Sequence, residues 1–101
     1  MAKERVVKAT FSNGKTLERG STSRVYTHAY LAEGHCPIRP DIASDTGRWQ
    51  QSGFSSSEQQ ARKNMEAETA WIRGREGYSR DFAEVVAVEV IEKRTREAAH
   101  G

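Results

Sequence analysis

The stretch VVKATFSNGKTL, residues 6–17, predicts a β-hairpin around which the rest of the fold can be built. In its first half, apolar and polar residues alternate, which is the pattern of a strand with one buried face. Val7, Ala9 and Phe11 lie on the apolar face of this strand. We therefore expect residues 6–11 to form a strand whose apolar face packs into the core.

The dipeptide Asn13-Gly14 marks the turn of the hairpin. A two-residue loop would place Leu17 on the polar face, whereas a three-residue loop places it opposite Ala9 on the apolar face. We therefore predict a three-residue loop with Gly14 in the left-handed conformation of a β-bulge. The second strand is predicted to run from about Lys15 to Arg19.

Residues 24–32, RVYTHAYLA, fit either a strand or a helix. A helix would begin after Ser23 and end at Gly34, but the β-branched and aromatic content favours the strand. In a strand, four side chains project from one face: Arg24, Tyr26, His28 and Tyr30. Aromatic rings beside an arginine are typical of protein interfaces and of surfaces that stack nucleic-acid bases, and the same rings also suit a core face.

Glycine, proline and aspartate recur through residues 34–54, which are predicted to form a long loop. Ile38, Ile42 and Trp49 are expected to pin this loop to the core. A long loop is uncommon in a small domain and often carries function. Two interpretations of Trp49 therefore stay open: it plugs the core, or it is an exposed contact residue.

The sequence SSSE, residues 55–58, matches the capping box S-x-x-E and predicts a helix N-terminus with Ser55 as the N-cap. The helix is expected to cover residues 56–73 and to stop at Gly74. Its apolar stripe is narrow, so the helix should cover one sheet face and leave most of its own surface in water. The stripe comprises Ala61, Met65 and Ile72, with Trp71 at its edge and Glu68 inside it.

The segment FAEVVAVEVI, residues 82–91, has the strongest strand pattern in the chain. Apolar residues on both of its faces predict an interior strand rather than an edge. Residues 93–101 are mostly charged or small and are expected to fray. Together these elements predict an α+β domain over residues 1–101: a small antiparallel sheet of three or four strands with one long helix packed on a face.

Composition allows one small domain with a thin core. The chain has 101 residues and a formal net charge of +2, and Leu, Ile, Val and Phe together number only 16. Such a core would gain stability from a homodimer. The chain has no stretch as long as the roughly 18 apolar residues of a membrane span, no apolar signal-peptide core, and Cys36 as its lone cysteine. We therefore expect a cytoplasmic protein without membrane contact.

Three short motifs follow the predicted hairpin: Arg19-x-Ser21-x-x-Arg24-x-Tyr26-Thr27-His28-Ala29-Tyr30, then Gly53-Phe54-Ser55, then Ala61-Arg62-Lys63. This pattern resembles small, uncharacterised proteins encoded by actinobacterial phages, and the resemblance covers roughly half of the chain. It implies an accessory protein made inside an infected bacterium. It implies no particular activity and no catalytic residues.

Residue patterns for catalysis or metal binding are few. The histidine and cysteine ligands are His28, His35, Cys36 and His100, which lack the paired spacing of a zinc site. The sequence has no nucleophile-elbow serine and no phosphate-binding loop motif. The run RGREG, residues 73–77, is interpreted as a helix stop followed by a turn. We therefore predict no enzymatic activity, no metal and no cofactor.

The predicted function is non-enzymatic binding of a host intracellular protein, with weak, sequence-tolerant nucleic-acid binding as the alternative. Residues 1–39 carry a net charge of +4 and the remainder −2, so the basic half favours an anionic partner. The expected contact surface joins residues 24–32 to the predicted loop. Its members are Arg24, Tyr26, His28, Tyr30, Arg39, Arg48 and Trp49.

Overall fold

The computed structural model describes residues 3–21 and 23–95, which form six strands and one α-helix. The strands are β1 (Lys3–Thr10), β2 (Thr16–Ser21), β3 (His28–His35), β4 (Arg48–Ser55), β5 (Phe82–Ala87) and β6 (Glu89–Thr95). The helix α1 (Glu58–Thr69) continues into a 3-10 turn at Ala70–Ile72. The strands pair antiparallel in two sheets, ordered β2-β1-β6 and β4-β3-β5. The α+β class is confirmed, but two three-stranded sheets take the place of the predicted single sheet.

The β1–β2 hairpin has the predicted register. Ala9 pairs with Leu17, and the N–H of Phe11 donates to the carbonyl of Lys15 at 2.9 Å, which leaves three residues in the loop. Gly14 has a φ of 89°, in the left-handed region that glycine adopts without strain. The face that carries Ala9 and Phe11 is buried, so burial of the apolar residues accounts for the register.

The strand interpretation of residues 24–32 is confirmed, although β3 begins at His28 and extends to His35. β3 is the middle strand of its sheet, and residues 29–34 are buried on both faces. Its odd-numbered side chains from Ala29 face the other sheet, whereas the even-numbered ones face α1. β3 is therefore an interior strand of the fold.

Two apolar layers lie on either side of the β4-β3-β5 sheet. The layer between the sheets is built on Ala9, Phe11, Ala29 and Leu31. The layer between β3 and α1 is built on Tyr30, Ala32 and Met65. The prediction that a helix packs on a sheet face is therefore confirmed, and the second sheet covers the opposite face.

The predicted interior strand at residues 82–91 is divided at Val88 into β5 and β6. β5 pairs with β3 and β6 pairs with β1, so the chain passes from one sheet to the other at this point. Both strands are outermost in their sheets, and Val90 is 50% exposed. The prediction of an interior strand is therefore wrong. Of the predicted frayed tail, residues 93–95 belong to β6 and residues 96–101 lie outside the described residues.

The predicted long loop at residues 34–54 is mostly wrong, because β3 and β4 occupy its two ends. Only residues 36–47 connect these strands. Ile38 is 65% exposed and Ile42 is also exposed, so neither pins the connection to the core. Trp49 lies in β4 and packs against the helix-side layer, as the core interpretation of this residue requires.

The N-cap of α1 is Ser57 rather than Ser55. The Oγ of Ser57 accepts the N–H of Gln60 at 3.1 Å. Ser55 is the last residue of β4, and its buried Oγ accepts a hydrogen bond from the side chain of Asn64 at 3.1 Å. Pairing with β3 holds Ser55 in the sheet and moves the helix start two residues along the chain. The stop at Gly74 is close to the prediction, since the 3-10 turn ends at residue 72.

Replacing Ser57 by alanine should lower the free energy of unfolding by about 1 kcal/mol, because the N–H of Gln60 loses its side-chain acceptor. Urea denaturation followed by circular dichroism measures this loss. Ser56→Ala is the matched control, since Ser56 is exposed and lies outside the helix. Equal losses for the two variants would contradict the assignment of Ser57 as the cap.

Candidate functional site

The four residues predicted to share one face do not do so. His28 and Tyr30 have the same orientation in β3, on the side of α1. Tyr26 precedes the strand and packs on the other side, with its ring 5.8 Å from that of Phe54. Arg24 is exposed in the connection between β2 and β3. The single-face prediction is wrong because residues 24–27 are not part of the strand, so its alternation does not extend to them.

Tyr30 belongs to the core, with an exposure of only 1%. Its hydroxyl donates a hydrogen bond to Glu68 of α1, and the side-chain amide of Gln51 donates to the same carboxylate at 3.1 Å. Burial, followed by the adjacent Glu68 carboxylate, raises the pKa of Tyr30 well above its ordinary value. Tyr30 therefore joins the helix to the sheet, and its ring is not accessible to a partner.

Tyr30→Phe should lower stability by about 1–2 kcal/mol at pH 8, because the hydrogen bond to Glu68 is lost. The difference should shrink as the pH rises above about 10. An unfolded tyrosine releases its proton there, whereas folded Tyr30 retains it, so alkali favours unfolding of the wild type specifically. Urea midpoints at pH 8 and pH 11 measure the change. A difference in stability between wild type and Tyr30→Phe that did not change with pH would contradict the assignment of a buried, protonated Tyr30 bound to Glu68. Tyr78→Phe is the control for the loss of a tyrosine hydroxyl elsewhere.

The remaining predicted contact residues lie near the opposite end of β3. Arg48 pairs with His35 at one end of the strand, whereas Arg24 precedes His28 at the other. The seven residue steps between these ends span roughly 23 Å. Arg39 is exposed in the connection that follows His35. The structure therefore divides the predicted contact surface into two separate groups.

Trp49 is half-buried and holds a neighbouring segment in place. Its indole N–H donates to the carbonyl of Ser79 at 2.7 Å, and its ring meets that of Trp71 edge-on at 5.7 Å. Gly34, paired with Trp49 across the sheet, leaves room for Ser79 to pass close to the backbone. The indole thus anchors the segment that leads into β5.

His35, Ser79 and Asp81 form a hydrogen-bonded group at the same end of β3. The hydroxyl of Ser79 donates to Asp81 at 2.8 Å, and the Nδ1 of His35 contacts the other carboxylate oxygen. The hydrogen bond from Ser79 and then that from His35 hold the pKa of Asp81 below its ordinary value. The serine bonds to the carboxylate rather than to the imidazole, so this order differs from that of a serine–histidine–aspartate nucleophile.

No three histidine, cysteine, aspartate or glutamate side chains among residues 3–21 and 23–95 are placed to hold a metal ion together. His28 and His35 lie at opposite ends of β3, and Cys36 is partly buried just beyond it. His100 lies outside the described residues.

A surface pocket of about 340 Å³ lies beyond the end of α1, where residues 78–80 return beside the 3-10 turn. Its lining includes the side chains of Thr69, Ile72, Arg73, Arg75, Tyr78, Ser79 and Arg80. None of the described residues that line it is acidic. Its three arginines, Arg73, Arg75 and Arg80, give the pocket a positive charge, and we call it the arginine pocket.

Arg75 is held in place by aromatic rings and by the backbone. Its Nε donates to the carbonyl of Trp71 at 2.7 Å. Its guanidinium carbon lies 5.8 Å from the ring centroids of both Trp71 and Tyr78, within the range of cation–π attraction. The two rings themselves meet edge-on at 5.5 Å. Among the described residues, the side-chain hydrogen bond of Arg75 is made by Nε, which leaves its Nη groups as donors for a ligand.

Arg80 is held by the helix. One Nη donates to both carboxylate oxygens of Glu66 at 2.9 Å and to the hydroxyl of Thr69 at 3.2 Å. Hydrogen bonding from Arg80 keeps the pKa of Glu66 below its ordinary value, and Arg73 adds a smaller electrostatic effect. Glu66 therefore offsets part of the positive charge, and Arg73 and Arg75 carry the excess.

Comparison with protein families, curated proteins and solved structures yields no match to this chain. Within the part of the chain that the structure describes, no helix has the length and apolar character needed to cross a membrane.

The prediction of a helix stop and turn at residues 73–77 is correct for the backbone. The arginine pocket was not predicted, because Arg80 joins the other two arginines only when the chain returns past the helix end. The available signal was the density of arginine at 73, 75 and 80, in the same short stretch as Trp71 and Tyr78. Arginine and aromatic residues at this density are typical of interfaces.

Proposed function

We propose that the chain is a non-enzymatic binding protein, an accessory protein of an actinobacterial phage, and that it binds a host protein. The observation that carries the proposal is Trp71, which is 41% exposed beside the arginine pocket. Tryptophan, tyrosine and arginine are the residues that contribute most at protein interfaces. Here all three types lie close together, and the resemblance of the sequence motifs to small actinobacterial phage proteins is the basis for the proposed biological setting.

A protein partner fits this surface better than a nucleic acid does. The Arg75 guanidinium lies 5.8 Å from the ring centroids of both Trp71 and Tyr78, so a base that stacked on the ring faces next to it would have to displace it. Glu66 and Glu76 also interrupt the basic residues around the pocket. A phosphate backbone is bound by a continuous basic track, whereas a protein interface combines aromatic anchors with isolated charges.

The test compares wild-type protein with two variants as bait in an actinobacterial lysate, with and without nuclease treatment. Trp71→Ala removes the exposed ring, and Ile38→Ala removes an exposed apolar side chain outside the pocket. The retained protein is then purified, and its affinity for each variant is measured by calorimetry. We expect Trp71→Ala to weaken binding about 30-fold and Ile38→Ala to change it less than about twofold.

Two results would contradict the proposal. Equal binding by Trp71→Ala and wild type would show that the surface around Trp71 is not the interface. Retention that disappears on nuclease treatment, with an affinity that falls steeply with salt, would favour the nucleic-acid alternative. Dispersed amide spectra of both variants establish that any loss of binding is not a loss of folding.

A further inference from the structure

The arginine pocket concentrates positive charge in a cavity large enough for a side chain. Its volume is about 340 Å³, and three arginines contribute to its lining. Glu66 binds Arg80 from outside the lining and has a weaker electrostatic interaction with Arg73, so one carboxylate offsets only part of the charge of the three arginines. An anion entering it would gain two guanidinium partners.

The donors of the pocket are oriented before a ligand arrives. Arg75 is held by the carbonyl of Trp71 and by two aromatic rings, and Arg80 is held by Glu66 and Thr69. Side chains that are already ordered lose less conformational entropy on binding. The planar fork of an arginine matches the two oxygens of a carboxylate, which gives paired, charge-assisted hydrogen bonds.

We propose that the arginine pocket binds the carboxylate of an acidic segment in the protein partner. This inference rests on the proposed function, since it names the chemistry of the partner at the same surface. A partner segment could place a glutamate or aspartate in the pocket while its apolar side chains contact Trp71. The pocket is small and the surrounding charges are mixed, so a short acidic peptide fits it better than an extended polyanion.

The experiment is an NMR titration of the isotope-labelled full chain with two capped hexapeptides. The first alternates glutamate with alanine, and the second has glutamine at each glutamate position. We expect the glutamate peptide to cause saturable shifts of the Arg73, Arg75 and Tyr78 signals, and the glutamine peptide to bind at least about tenfold more weakly. Equal affinity of the two peptides, or shifts confined to other parts of the chain, would overturn the proposal.

Variants test the roles of the arginines. Arg75→Gln should weaken binding of the glutamate peptide at least about tenfold. Arg73→Gln should weaken it in the same direction, and it serves as a second test because Arg73 is exposed and its replacement leaves the aromatic contacts intact. Arg62→Gln is the matched control, since Arg62 pairs with Glu58 near the other end of α1. Unchanged affinity in both pocket variants would overturn the proposal.

An oligonucleotide of twelve thymidines separates the two macromolecular classes. Tighter binding of this oligonucleotide than of the glutamate peptide at the same signals would overturn the acidic-segment proposal in favour of nucleic acid. These experiments test the carboxylate inference independently of the proposed protein-binding function. If capture of the partner depends on Trp71 while the glutamate peptide does not bind, the protein-binding function stands and only the carboxylate inference is lost.

Discussion

Gly34→Ala is expected to lower the free energy of unfolding by about 3 kcal/mol or more, although it adds a single methyl group. The new Cβ would lie 1.7 Å from the carbonyl oxygen of Ser79 and 2.7 Å from the Nε1 of Trp49. The backbone of residues 79–81 cannot shift locally to relieve this clash, because two hydrogen bonds hold it against β3. The N–H of Ser79 donates to the carbonyl of His35 at 3.0 Å, and the N–H of Asp81 donates to the carbonyl of Glu33 at 2.8 Å. The whole segment before β5 would have to move away from β3.

Urea denaturation measures this loss, and Gly74→Ala is a suitable comparison. Gly74 has a φ of 73°, but a Cβ added there would meet no atom within 4 Å. That variant should therefore cost only the strain of the left-handed backbone, about 1–2 kcal/mol. A Gly34→Ala variant as stable as the wild type would show that Ser79 does not pass over Gly34. The arginine pocket should also be perturbed in Gly34→Ala, because Ser79 precedes Arg80.

Trp49→Ala is expected to lower stability by about 3 kcal/mol, near the lower end for truncation of a buried tryptophan because the ring is only half-buried. The variant loses the hydrogen bond to Ser79, the edge-on contact with Trp71 and the packing against the helix-side layer. Thermal or urea unfolding measures the change. Trp49→Phe should recover part of the loss, since it restores a ring without the N–H donor.

Trp71→Ala is the matched control. We expect the Trp49 variant to be affected mainly in stability and the Trp71 variant mainly in binding. Trp71 is the more exposed ring, so its removal should cost clearly less stability than the removal of Trp49, while its effect on partner affinity should be the larger. If Trp49→Ala left stability unchanged and abolished partner binding, the interpretation of Trp49 as a core anchor would be wrong. The contact role first considered for Trp49 would then be restored.

Local features were predicted well wherever neighbouring residues are sufficient to determine them. The hairpin register follows from the alternation around Ala9 and from the turn at Gly14, and both are present. The helix face was also predicted, because Ala61 and Met65 are buried at helical spacing. Its cap was misplaced by two residues, since three consecutive serines offer equivalent local signals and pairing with β3 selects among them.

β4 shows why some parts of the fold could not be predicted from the sequence. Its sequence RWQQSGFS has weak strand propensity, and the strand forms because β3 offers a complete row of partners from His28 to His35. The division of residues 82–91 at Val88 is likewise a result of pairing with other strands. Residues 82–91 form one uninterrupted pattern, and only the competition of two sheets for one segment separates it into β5 and β6.

The candidate site could not be predicted from local sequence patterns either, because it also depends on contacts between distant segments. Trp71, Arg73 and Arg75 are close in the chain, and the sequence shows them as a helix end rich in arginine. The pocket also requires Tyr78 and Arg80, which the Ser79 anchor to Trp49 brings back beside the helix. Local periodicity and turn chemistry thus account for the hairpin, the helix and the class of fold. The two-sheet arrangement, the interior position of β3 and the arginine pocket depend on contacts between distant segments, whose energies no short stretch of sequence contains.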